Sequence, residues 1–106
     1  MTLNVVWYII PLVKGTLIRH TKVREDNGNI IEIKLWKVPS SVDKPHGYKY
    51  SLAYVVKDKR VIGYDNGESQ GDHRHYEDNI APYEFRSVWQ LIGDFLKDIE
   101  KYKRGK

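Results

Sequence analysis

The chain has 106 residues, 41% of them apolar, with 18 lysines and arginines against 14 acids, a net charge of +4 and no cysteine. That length supports one domain with one core. The lack of cysteine excludes disulfide staples, thiolate metal sites and a cysteine nucleophile, while the basic excess permits a polyanionic partner such as RNA or DNA without requiring one.

Residues 3–13 are the one long apolar run. The run is too short to span a membrane, Pro11 interrupts it, and it lacks the basic start and small-residue cleavage site of a signal peptide. A soluble cytoplasmic protein with no membrane partner is the expectation. Residues 3–10 are rich in β-branched and aromatic types and favour a strand, although an apolar run this short also fits a helix. Left uncovered, such a strand is a sticky edge, and a homodimer contact is one way to cover it.

Residues 16–25 read as a strand, with Leu17, Thr21 and Val23 on one face. Asn27-Gly28 follows, and Asn-Gly between two extended runs predicts a hairpin with a type I′ turn, whose two central residues both need positive φ. The return strand, residues 30–38, alternates Ile31, Ile33 and Leu35 with Glu32, Lys34 and Trp36, so one face is buried and the other solvated. Trp36 on the solvated face either covers a small cluster or offers a stacking surface to a base. Residues 39–47, punctuated by Pro39, Pro45 and Gly47, form a loop. Residues 48–57 are the clearest strand, with Tyr48, Tyr50, Leu52, Tyr54 and Val56 on one face.

A tight turn at Asp58-Lys59 returns the chain through residues 60–64. A further short strand is expected at 72–76, then a loop at 77–83 carrying Pro82. The helix comes last, capped by Ser87, with Gln90 completing a capping box. Val88, Leu91, Ile92, Phe95, Leu96, Ile99 and Tyr102 recur at spacings of three and four, a stripe that must pack on a sheet. The predicted fold is therefore α+β: an antiparallel sheet of about five or six strands with the C-terminal helix packed on one face.

The chemistry concentrates between Tyr64 and His75. In an extended segment side chains alternate, so His73 and His75 share one face while Asp72, Arg74 and Tyr76 share the other. Paired imidazoles suit acid–base work on a phosphate, because an ordinary histidine titrates near pH ~6.5 and serves in either role. Arg74 or Arg60 is placed to stabilise the growing negative charge, although strict alternation points Arg74 away from the histidines. The plain alternative is a polar edge strand with solvated histidines. A metal is the next candidate, with Asp65 or Asp72 adding an oxygen and His46 a third ring, but two histidines without a firm third ligand are a weak signal. No metal or other cofactor is assigned. The asparagine and aspartate at 65–66 also suit side-chain turns.

Three segments carry a family resemblance. Trp36-Lys37-Val38-Pro39 ends one strand. His46-Gly47-Tyr48-Lys49-Tyr50-Ser51-Leu52-Ala53-Tyr54-Val55 opens another. Tyr64-Asp65-Asn66 precedes Gly71-Asp72-His73-Arg74-His75, with Pro82-Tyr83 and Phe85 beyond. Together they resemble the TumE-like family of small prokaryotic toxins from toxin–antitoxin pairs, over a core of about 15–102, with 1–13 as an N-terminal extension. The resemblance implies a helix-turn-helix antitoxin encoded nearby and RNA as the target. It carries over Tyr64, Asp65, Asn66, Asp72, His73, Arg74 and His75 as motif positions.

Two functions remain. One is a metal-free ribonuclease with His73, His75, Arg74 and Asp72 as catalytic residues and Tyr64, Asp65, Asn66, Lys49, Arg60 and His46 binding substrate. The other is a non-catalytic module that grips nucleic acid or protein with the GDHRH surface.

Overall fold

The structure is a computed structural model and describes residues 15–67 and 71–105. The strand expected at 3–10 lies outside them. Six strands form one antiparallel meander in chain order: β1 Thr16–Arg24, β2 Ile30–Lys37, β3 Tyr48–Val56, β4 Lys59–Asp65, β5 His73–Tyr76 and β6 Asn79–Pro82. One helix, α1 Val88–Arg104, crosses one face. The architecture is the α+β arrangement expected from the sequence.

Alternation builds the two faces. Ile33 and Leu35 of β2, Tyr50, Leu52 and Tyr54 of β3, and Ile62 and Tyr64 of β4 turn to one side and are buried. Cross-strand register sets Ile33 opposite Leu52 and Leu52 opposite Tyr64, so these side chains form continuous rows. Leu91, Phe95 and Ile99 of α1 close that side, each buried on the helical stripe. Phe95 meets Tyr64 edge-on, with ring centroids 6.1 Å apart. The other face carries the alternate residues, including Glu32, Lys34, Trp36, Lys49, Ser51 and Asp65, all partly or fully exposed. No helix lies over it among the described residues.

Four local expectations are corrected. At the first hairpin only Gly28 has positive φ (+91°), not Asn27. The amide of Gly28 donates to the carbonyl of Glu25 and that of Glu25 to Asn29, so an ordinary turn ends on a glycine bulge. The two-residue turn with both φ positive falls at Lys57 and Asp58 (50° and 64°), one residue earlier than expected. Residues 79–82 are not loop: β6 pairs with β5, with Pro82 opposite His73. A proline is tolerated there because β6 is the edge strand among the described residues, with no described ladder on its outer side to feed. Lastly, Ser87 does accept from the amide of Gln90 at 3.0 Å, but Gln90 sends its own side-chain amide forward to Asp94 at 2.9 Å, leaving the capping box half formed.

Candidate active site

β5 occupies four residues, His73–Tyr76, and works on both sides of the sheet. Its register against β4 sets His73 opposite Asp65, Arg74 opposite Tyr64, and His75 opposite Gly63. Odd-numbered members therefore look out from the open face and even-numbered members look toward α1.

On the open face His73 Nε2 lies 2.7 Å from Asp65 Oδ1, and His75 Nε2 lies 3.7 Å from Asp65 Oδ2. The two imidazoles meet edge-to-face with centroids 5.0 Å apart. All three side chains are between 13% and 22% exposed, which leaves them sheltered yet reachable. Arg60 Nη1 donates to Asp65 Oδ2 at 3.2 Å. It gets there by lying over Gly63, where any Cβ would stand only 2.9 Å from the Arg60 guanidinium carbon. Glycine at 63 thus clears the path by which Arg60 reaches the cluster.

His73 is held at both nitrogens. Its Nδ1 faces the carbonyl of Gly71 at 3.0 Å while Nε2 faces the Asp65 carboxylate. Both partners are acceptors, the carbonyl through a hydrogen bond and the carboxylate through an ion-pair contact. His75 is different. Burial, Arg60 and His73 push its pKa below the usual histidine value, and Asp65 only partly offsets them. The pair is therefore asymmetric: His73 is held between two acceptors, while His75 is held loosely and its charged form is disfavoured. An open depression of about 310 Å³, lined by Asp72, His73, His75, Ile80, Ala81 and Pro82, lies beside the two rings.

The remaining motif residues go elsewhere. Arg74 faces α1, where Nε and Nη2 donate to the two oxygens of buried Asp98 at 2.6 and 2.9 Å. Tyr64 donates to the same carboxylate at 2.6 Å and accepts from Arg74 Nε at 3.0 Å. Burial and the Asp98 carboxylate push the Tyr64 hydroxyl well above the normal tyrosine range, and Asp98 also raises Arg74. This triad ties β4 and β5 to the helix. Asn66 is buried and acts as a piece of backbone: its Oδ1 accepts from the amide of Tyr50 and its Nδ2 donates to the carbonyl of Tyr48. It continues the β3–β4 ladder past the end of β4.

Asp72 and His46 form a second, separate pair. Nδ1 of His46 accepts from the amide of Tyr48 at 3.1 Å, so Nε2 carries the proton and donates to Asp72 at 3.1 Å. Tyr50 completes it with a 2.8 Å bond to Asp72, and the His46 ring packs 4.0 Å from Phe85, centroid to centroid. This histidine is fully satisfied while neutral. Lys49 stands on the open face opposite Trp36, its Nζ 5.4 Å from that ring. The structure therefore gathers His73, His75, Asp65 and Arg60. It does not bring Asp72, His46, Tyr64, Arg74, Asn66 or Lys49 into that group.

Sequence reading missed Asp98 and Gly63. Asp98 lies on the same helical stripe as Leu91, Phe95 and Ile99, and an acid at a core position of such a stripe calls for a buried cation. Gly63 has no comparable signal, because its value lies in what Arg60 does three residues away.

The family comparison fits this arrangement. The sequence model of the family described as "Toxin TumE" matches residues 10–103. The chain belongs to the TumE toxin family. No curated protein and no solved structure matches it. As a family member it is the toxin component of a toxin–antitoxin system, and an antitoxin is its partner. Among the described residues no helix is long and apolar enough to cross a membrane.

Proposed function

We propose that this TumE toxin is a ribonuclease and that Asp65, His73, His75 and Arg60 are its catalytic centre. The observation that carries the reading is the asymmetric imidazole pair on the open face, one ring bridged between two acceptors and the other facing none as closely. His75 takes the proton from a ribose 2′-hydroxyl as its oxygen attacks the adjacent phosphorus. The O2′–P bond forms, the P–O5′ bond breaks, and His73 gives its Nε2 proton to the departing 5′-oxygen. The products are a 2′,3′-cyclic phosphate and a 5′-hydroxyl. Asp65 stabilises the doubly protonated His73 ring and keeps it oriented. Arg60 neutralises the non-bridging oxygens as charge builds on them. Lys34, Lys49 and Trp36, spread over the same open face, suit the backbone and bases of a single strand.

In this reading the toxin acts in the cytoplasm, and its antitoxin is a helix-turn-helix protein that silences it. The test is a cleavage assay on a structured and a single-stranded RNA, with and without EDTA, beside His73→Ala and His75→Ala proteins shown to be folded. Cleavage that resists EDTA and disappears in both variants is expected. A folded, antitoxin-free protein that cuts neither RNA, yet binds RNA with a steep salt dependence, would replace catalysis with simple binding.

A further inference from the structure

Nε2 of His73 and Oδ1 of Asp65 lie 2.7 Å apart, a separation that favours a cation between or upon them. The Nδ1 of His73 is engaged with the Gly71 carbonyl, which makes Nδ1 the protonated nitrogen and leaves Nε2 with its lone pair. That nitrogen then faces a carboxylate oxygen at 2.7 Å. A second proton on the ring is one cation that satisfies the arrangement. A metal ion is the other. A backbone carbonyl fixing the far nitrogen of a ligating histidine is the usual support for a metal-binding ring. The His46–Asp72 pair shows the contrast: there Nδ1 accepts from an amide, Nε2 donates, and no further cation is called for.

Asp65, His73 and His75 each offer a ligand atom, and the three lie within 4.8 Å of one another. We propose that these three residues form a binding site for a single zinc-class divalent ion. Bonds of about 2.0–2.1 Å in a tetrahedron set neighbouring donors about 3.3 Å apart. The observed separations, 2.7 Å from His73 to Asp65 Oδ1 and 3.7 Å from His75 to Asp65 Oδ2, bracket that value. The two distances run to different oxygens of the one carboxylate, so binding requires side-chain rotation to converge the donors from within 4.8 Å of one another. The donors stand on paired strands, Asp65 directly opposite His73, so the ladder holds the set in place. The depression beside the rings leaves one side of the site open for an exogenous fourth ligand. Two imidazoles and one carboxylate suit zinc, and equally cobalt or nickel, and discriminate against magnesium, which prefers an all-oxygen shell. Arg60, on Asp65 Oδ2, is the competing cation.

The consequence rests on the ribonuclease reading above. An ion on Nε2 of both rings occupies the nitrogens that move protons, so zinc switches the toxin off.

The binding test needs no RNA. Protein stripped with EDTA and exchanged into chelator-free buffer is titrated with ZnCl2 by calorimetry, and with CoCl2 by visible absorption. One ion per chain is expected, with a Kd of about 1 µM or tighter for zinc. Asp65→Ala and His75→Ala, verified as folded by circular dichroism, are expected to weaken it at least about tenfold. Arg60→Ala is expected to tighten it, because the competitor is gone. Absence of one-to-one zinc binding overturns the site, as does binding that Asp65→Ala and His75→Ala leave unchanged, or magnesium binding of equal strength. In parallel, zinc is expected to stop RNA cleavage and EDTA to restore it. Zinc that stimulates cleavage overturns the off-switch. If the protein cuts no RNA under any condition but binds zinc as described, the ribonuclease reading falls and the metal site stands.

Discussion

Strand β5 presents two clusters built from neighbouring residues, one on each face of the sheet, and they differ in completeness. Toward the helix, Arg74, Asp98 and Tyr64 share one carboxylate through a two-pronged guanidinium and a hydroxyl, with every bond between 2.6 and 3.0 Å. Toward the open face, Asp65 holds His73 closely, His75 at 3.7 Å and Arg60 at 3.2 Å. The helix-side cluster has its charge matched around a buried carboxylate, which is what a structural tie requires. The open-face cluster keeps one imidazole loosely held and a depression beside it, which is what chemistry requires. The Arg placed between two histidines in sequence therefore stands on the opposite face of the sheet from both of them.

Activity gives the largest test of this division. His75→Ala is expected to lower RNA cleavage by about 10²- to 10⁴-fold, the usual contribution of a positioned acid or base, while the thermal midpoint moves little. Single-turnover cleavage rates and a melting curve on the same preparation check it. Equal loss of stability would move His75 to the structural side.

Arg74→Ala makes the reverse cut. It leaves the Asp98 carboxylate with only Tyr64, and because Arg74 is itself a third exposed, breaking this partly buried pair is expected to cost about 2–3 kcal/mol of stability in urea unfolding, below the figure for a fully buried pair. Replacing Arg74 with no loss of stability, but with loss of cleavage, would place it with the catalytic group after all.

Gly63→Ala sharpens the open-face side alone. Gly63 is itself buried, but the new methyl group meets the flexible end of Arg60, not backbone, so the fold is expected to lose no more than about 1–2 kcal/mol. Cleavage is expected to fall by roughly 10- to 100-fold as Arg60 leaves Asp65, near the lower end for losing a charge-stabilising donor. Steady-state kinetics with Arg60→Ala as the parallel variant checks whether the two act through the same contact.

The smallest effect concerns the asymmetry of the two rings. His75 is expected to titrate below 6.5 in NMR, with EDTA present, because burial and Arg60 disfavour its charged form. Its folded pKa is lower than its unfolded one. Its contribution to stability is therefore full above about pH 6.5 and is lost as the pH falls through the folded value, where the unfolded chain binds more protons. A His75 midpoint at or above 6.5 would remove the asymmetry.

Much of the fold was legible in local pattern. The period-2 runs of β2 and β3 and the period-3.6 stripe of α1 each follow from burying one face, and each appears where its apolar residues pointed. Turns were less legible. Asn27-Gly28 suggested one turn type and adopted another, while Lys57-Asp58, without a glycine, took the two positive φ values. Strand β6 was hidden because Pro82 argues against a strand, and only its edge position makes the residue harmless.

For the site, the sequence by itself determined that His73 and His75 share a face and that Arg74 does not, because alternation along a strand is a local property of the backbone. It also supplied the motif that marks the family. Only the tertiary structure decided which carboxylate meets those rings. Asp65 was chosen over Asp72 by the β4–β5 register, a pairing between segments seven residues apart that no local rule fixes. The long-range partners were decided the same way: Asp98 for Arg74 across the sheet–helix interface, the Tyr48 and Tyr50 backbone for Asn66, and the glycine gap that carries Arg60 to Asp65. Each depends on two elements packing together, and that contact exists only once the core has formed.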